Sequence, residues 1–90
     1  MNASVAIQVV PKVATSEETI RIVDEVIACI KSFKLHYEVG PFETTIEGDY
    51  DTLIEIVKGC PKVCAEAGAP GTMMYVKVNY VPGGVLTIEE

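Results

Sequence analysis

The sequence predicts an α+β domain, one antiparallel sheet covered on one face by two helices, and three observations carry that prediction. Apolar residues alternate with period 2 in four short segments. They return every third or fourth residue in two longer segments, and the six follow one another as β-α-β-β-α-β. Ninety residues fit one two-layer core, so residues 1–90 are read as a single domain. With 49% hydrophobic and 22% charged residues, the chain has enough apolar surface to order itself.

The first strand spans 3–10, where Val5, Ile7 and Val9 alternate with Ala6, Gln8 and Val10 before Pro11. The run Thr15-Ser16-Glu17-Glu18-Thr19 then offers a hydroxyl cap, and its acids place negative charge at the positive end of the helix dipole. Ile20, Val23, Ile27 and Ile30 define the inward face of a helix reaching about Phe33. Leu35, Tyr37 and Val39 form a second strand, Gly40-Pro41 a turn, and Thr44, Ile46 and Gly48 a third strand, so the pair reads as a hairpin.

Asp49 or Asp51 can cap the second helix, whose inward face takes Leu53, Ile54, Val57, Cys60, Cys64 and Ala67. Pro61 lacks an amide hydrogen, and its ring clashes with the preceding turn, so a kink or a fresh short helix is expected there. A loop at 68–71 leads to a long strand in which Met74, Val76, Val78 and Tyr80 alternate with Met73, Tyr75, Lys77 and Asn79. Pro82-Gly83-Gly84 then turns into a brief strand from Val85 to Ile88. This is the ferredoxin-like, or split β-α-β, order.

In that arrangement Val5, Ile7, Val9, Leu35, Tyr37, Val39, Ile46, Met74, Val76 and Val78 face the helices. Gln8, His36, Glu38, Thr45, Glu47, Tyr75, Lys77 and Asn79 face away. With Met73, Ala6 and Val10 beside Tyr75, the uncovered face is apolar enough to pack on a second copy, so a homo-oligomer is expected.

Charge and composition exclude several classes. The net charge is −6 and the seven bases are scattered, which gives no stripe for a nucleic-acid backbone. The first thirteen residues have no basic leader and reach Pro11 after a short apolar run, so neither a signal peptide nor a membrane span is expected, and a cytoplasmic location is. Cys29, Cys60 and Cys64 are odd in number, so no disulfide framework is indicated.

Few residues present themselves for chemistry. His36, the single histidine, sits on the uncovered face and reads as a surface or interface residue. Cys60 and Cys64 supply half of a tetrahedral metal site and no more, and in line with Leu53 and Val57 they read as core. The paired acids fit helix starts and solvent, and no glycine-rich phosphate loop leads from a strand into a helix. No catalytic or metal site is assembled, and Tyr37 and Tyr80 read as core residues whose hydroxyls reach the rim. Thr44 is the exception. Its pattern sends a hydroxyl toward the helix layer, where an unpaired polar group costs about 1–3 kcal/mol, so either a backbone carbonyl or a ligand must meet it.

The run from Tyr37 to Asp49, with Gly40-Pro41, Thr44 and Glu47-Gly48 at its centre, resembles the thiamine-binding protein family, as do Val9-Val10-Pro11 before it and 80–90 after it. The resemblance covers nearly the whole chain. It implies a ferredoxin-like protein that pairs sheets into dimers and tetramers and binds thiamin or its hydroxymethylpyrimidine half without a reaction, as a carrier, sensor or salvage component. No cofactor beyond that ligand is implied. Thr44 falls on the family's threonine; strand geometry adds Thr45, Tyr37, Gln8 and Asn79 as candidates. A flat aminopyrimidine wants an apolar slot, an aromatic face such as Tyr37 or Tyr80, and a few hydrogen-bonding groups. Glu47 is the candidate carboxylate for a thiazolium charge. Pro61 departs from the family, whose second helix more often runs on unbroken. The alternative is a structural or regulatory homo-oligomer whose sheet face is its working surface.

Overall fold

Alternation in the strands and 3.6-residue periodicity in the helices resolve into six elements in the computed structural model, which describes residues 2–84. They are β1 (Ala3–Pro11), α1 (Ser16–Ser32), β2 (His36–Val39), β3 (Thr44–Gly48), α2 (Tyr50–Glu66) and β4 (Thr72–Tyr80). The sheet order is β2-β3-β1-β4 and every pairing is antiparallel, which is the ferredoxin-like topology. The strand expected over Val85 to Ile88 lies outside the described residues.

The strands are unequal in length. Thr44, the first residue of β3, pairs with Ile7, and the rest of β1 continues past it to Pro11 paired with β4 alone. One corner of the sheet, between the β2-β3 hairpin and the second half of β1, is therefore left unfilled by strand.

The core joins Val5, Ile7 and Ile46 of the sheet to Ile22, Val26 and Ile30 of α1 and Leu53, Ile56, Cys60 and Cys64 of α2. Two expectations change. Ile20, assigned inward by periodicity, is 61% exposed, whereas Ile22 is fully buried. At about 100° per residue the two point to nearly opposite sides of the helix, and the stripe Ile22-Val26-Ile30 is the one that meets the sheet. In α2, Ile56 takes a central place that periodicity assigns to Ile54 and Val57, which flank it half-buried.

Helix α2 also neither ends nor restarts at Pro61: it is one 17-residue element. A proline inside a helix costs about 3 kcal/mol. Leu53, Ile56 and Cys60 before it and Cys64 after it are all buried against the same core, and that packing offsets the local penalty.

The helix ends are held by different means. The hydroxyl cap expected from the run 15–19 is supplied by Thr15, whose Oγ1 accepts from the Glu18 amide at 3.1 Å. Asp49 occupies the cap position of α2, but its side chain makes no capping bond; Asn2 Oδ1 accepts from the Tyr50 amide instead, at 2.9 Å. No basic residue lies in the last turn of α2. Arg21 of α1 supplies the charge, donating from Nη2 to the Ala67 carbonyl at 2.9 Å, and Gly68 follows with φ +106°.

Val39, Val78 and Tyr80, expected to face the helices as core, are about half exposed on the edge strands β2 and β4, which the helices cover only in part. Tyr80, 51% exposed, stacks on Tyr50 with ring centroids 4.8 Å apart.

Candidate ligand-binding site

The unfilled corner is a pocket. The hairpin residues Gly40, Pro41, Phe42 and Glu43 fold over it, closed by a hydrogen bond from the Gly40 amide to the Glu43 carbonyl at 2.9 Å. A side chain at position 40 would bring its Cβ to 3.1 Å from that same oxygen, so glycine suits this close approach. Beneath the hairpin lies a cavity of about 250 Å³ walled by Ile7, Val9, Val39 and Thr44 of the sheet and by Val23 and Ile27 of α1, with Gln8 at its edge.

Thr44 is 9% exposed. Among the described residues its hydroxyl has no hydrogen-bond partner, so no backbone carbonyl satisfies it there. No fully buried side-chain oxygen or nitrogen among those residues lacks a partner, so the Thr44 oxygen is one that the cavity reaches. A hollow that mixes aliphatic walls with polar groups, among them a hydroxyl able both to donate and to accept, is suited to a flat heterocycle bearing ring nitrogens.

The same hairpin lines a second hollow on the uncovered face, of about 580 Å³, with Glu38, Thr45 and Lys77. It adjoins a smaller one that reaches Ser4, Ala6 and Asn79. Register explains this surface: Glu38, Thr45, Ala6 and Lys77 are successive partners across the four strands. The small methyl of Ala6 leaves the lysine room to lie across β1, and Lys77 Nζ reaches Glu43 Oε1 at 3.0 Å. Phe42 stands at the rim, 81% exposed.

The six candidate residues thus separate. Thr44 and Gln8 share the helix-side cavity, while Thr45 and Asn79 lie on the uncovered face. Tyr37 packs half-buried against the core and lines neither hollow. Glu47 is only 6% exposed although it points to the uncovered face, and its Oε1 lies 3.1 Å from Nδ1 of His36, its cross-strand partner. Alternation alone places Glu47 on an open surface; it is instead an interior carboxylate with its own partners. Phe42, Glu43, Lys77, Val23 and Ile27 are site residues that the sequence pattern does not single out. An exposed phenylalanine inside a Gly-Pro turn is the available signal for the first; the others converge only through strand register and helix packing.

Cys60 and Cys64 are fully buried. Burial, and then the neighbouring Cys29 and Cys64 thiols, push the Cys60 thiol up to about 11, so it is a neutral thiol near pH 7 that packs as a small hydrophobe. Among the described residues no group of three or more His, Cys, Asp or Glu is placed to hold a metal ion, and no helix is long and apolar enough to cross a membrane.

Strand order and layering define a ferredoxin-like α+β domain with a hollow at one hairpin corner. Comparison with known proteins agrees and goes further. The family described as thiamine-binding protein matches residues 5–90. A UPF0045 protein of Clostridium perfringens is 44% identical over 87 residues, 97% of this chain and 90% of its own length. Two solved structures superpose closely. A domain of unknown function from Bacillus cereus has a TM-score of 0.88 at 32% identity, over 99% of this chain and 85% of that one. A Thermotoga maritima protein provisionally assigned to thiamine biosynthesis/salvage has a TM-score of 0.87 at 31% identity, over 99% and 92%. The chain belongs to the thiamine-binding protein family.

Proposed function

We propose that the protein is a non-catalytic binder of thiamin or of its hydroxymethylpyrimidine moiety, acting in the cytoplasm as a carrier or salvage component, with the pyrimidine seated against Thr44. One observation carries this reading: a nine-tenths-buried threonine, its hydroxyl without a hydrogen-bond partner among the described residues, lines a cavity roofed by a hairpin. That hydroxyl is open to the cavity, so a ring nitrogen or exocyclic amine can meet it on binding. Family membership supports the choice of ligand, and the Thermotoga maritima relative supports a role near thiamine salvage.

Titration calorimetry with hydroxymethylpyrimidine and with thiamin tests it. Both bind, and Thr44→Val weakens each by about 2- to 10-fold, the worth of one hydrogen bond. Absence of binding by both to the unaltered protein removes the reading.

A second reading concerns the uncovered face. Val10, Met73 and Tyr75 are exposed there on β1 and on edge strand β4, which supports self-association into a dimer or tetramer through the sheet. Tyr75→Lys then lowers the mass measured by light scattering. A monomeric parent protein disposes of the idea.

A further inference from the structure

Resting on the reading of the Thr44 hollow as a seat for a flat heterocycle, we propose that the main chain of Val9 reads the ring that sits there. The Val9 N–H and C=O together take an aromatic amidine edge, in which a ring nitrogen stands beside an exocyclic amine.

Strand register places these two groups. The Lys12 amide donates to the Gly71 carbonyl at 2.8 Å and the Val81 amide to the Asn2 carbonyl at 2.9 Å, and each pair continues the β1-β4 ladder by one step at either end. Along a strand, successive residues turn their N–H and C=O to opposite edges. Even-numbered residues of β1 therefore bond β4, and odd-numbered ones face β3. Ala3, Val5 and Ile7 meet Gly48, Ile46 and Thr44 there. Val9 would meet residue 42 next, but the Gly40 amide bonds the Glu43 carbonyl at 2.9 Å and turns the chain away, leaving Phe42 81% exposed. Among the described residues no loop or turn group bonds the Val9 N–H or C=O. Pro11, the following odd position, has no N–H to leave unmet, and its carbonyl accepts from the Val13 amide at 3.1 Å.

A donor and an acceptor thus lie side by side at the wall of the hollow, in the plane of the sheet. In a ladder such a pair exchanges two hydrogen bonds with the N–H and C=O of a facing residue. A ring nitrogen accepts from an N–H and an adjacent amine donates to a C=O at nearly the same spacing, so an amidine edge takes the place that a continued β3 would fill. The Thr44 hydroxyl projects toward α1 from the neighbouring strand and is a third polar group for the same ring. Val23 and Ile27 of α1 and Val39 of β2 supply aliphatic cover for its faces. An amine whose hydrogens are replaced by methyl groups keeps the ring and loses the donor, so it leaves the Val9 carbonyl unmet.

The test uses the full chain with hydroxymethylpyrimidine, whose ring carries the amine, and with its N,N-dimethylamino derivative. Before any ligand is added, the Val9 amide exchanges with solvent at least about tenfold faster than those of Gln8 and Val10, which are held in the β1-β4 ladder. Hydroxymethylpyrimidine then slows the Val9 exchange and moves its amide resonance downfield, while dimethylation costs about tenfold or more in the affinity measured by calorimetry. Val9→Pro removes the N–H from the β3 side alone, as Pro11 already does two residues on, and lowers hydroxymethylpyrimidine affinity about 2- to 10-fold with unchanged circular dichroism. Binding of hydroxymethylpyrimidine with the Val9 amide unmoved, or equal affinity for the two ligands, overturns main-chain recognition and leaves the Thr44 pocket standing. Should Val9→Pro fail to fold, the amide readout on the unaltered protein decides by itself. Absence of hydroxymethylpyrimidine binding overturns both readings.

Discussion

Ile46 and Thr44 sit two residues apart on the same strand, point to the same side of the sheet, and serve different ends. Ile46 is fully buried among core side chains that include those of α2. Thr44 lies at the strand's first position, where α1 presents only Val23 and Ile27 across a gap and the hairpin closes over it. Continuous packing leaves no space for a ligand, and an unfilled corner adds little to stability. The strand therefore holds the fold at one end and offers a site at the other. The contrast shows how a small domain can leave a hydroxyl open to a cavity without losing its core.

The largest expected effect comes from emptying the packed end. Ile46→Ala costs about 2–5 kcal/mol, read as a fall in the urea midpoint at unchanged slope, with pocket affinity altered only through the folded fraction. A loss under about 1 kcal/mol would mean that the corner's looseness extends through the whole sheet.

A smaller effect is tied to pH in the same packed region. The folded Cys60 thiol holds its proton up to about 11, against the ordinary value of 9.0 that it regains on unfolding. The unfolded chain thus releases its proton first as pH rises. Stability from this group is fully present below pH 9 and is lost progressively as pH climbs toward 11. Cys60→Ala lowers stability overall yet flattens that alkaline decline, which thermal melts between about pH 8 and pH 11 measure.

The smallest effect has the opposite sign. Thr44→Val replaces an unpartnered hydroxyl by a methyl of nearly the same shape, and it stabilises the ligand-free protein by about 1 kcal/mol or less while weakening the ligand. Destabilisation by this change, measured by the same urea unfolding, would show that the hydroxyl is paired within the protein, and would erase the distinction between the two positions.

Much of the fold is legible in the sequence because periodicity is a local property. The β-α-β-β-α-β order, the hairpin at Gly40-Pro41 and the Thr15 cap all follow from residues close along the chain. Errors arise where neighbours in space decide the matter. Three apolar residues at 20, 22 and 23 cannot reveal which one the sheet covers, and Ile22 takes the place that periodicity gives to Ile20. Pro61 reads as either a kink or the start of a fresh helix, and the second reading falls only once the buried stripe on both sides of it is known to share one core.

The site divides along the same line. By itself the sequence determined that Thr44 is a hydroxyl on a helix-facing strand position, that Gly40-Pro41 turns the chain just before it, and that the chain resembles thiamine binders. Tertiary structure alone decided that β1 outruns β3 and so leaves a cavity at Thr44, that Glu47 is buried beside His36 on the uncovered face, and that Lys77 crosses Ala6 to reach Glu43. The physical reason is range. Alternation and capping act within a few residues, whereas a cavity is set by the mismatch in length of strands that register only when the chain has closed on itself.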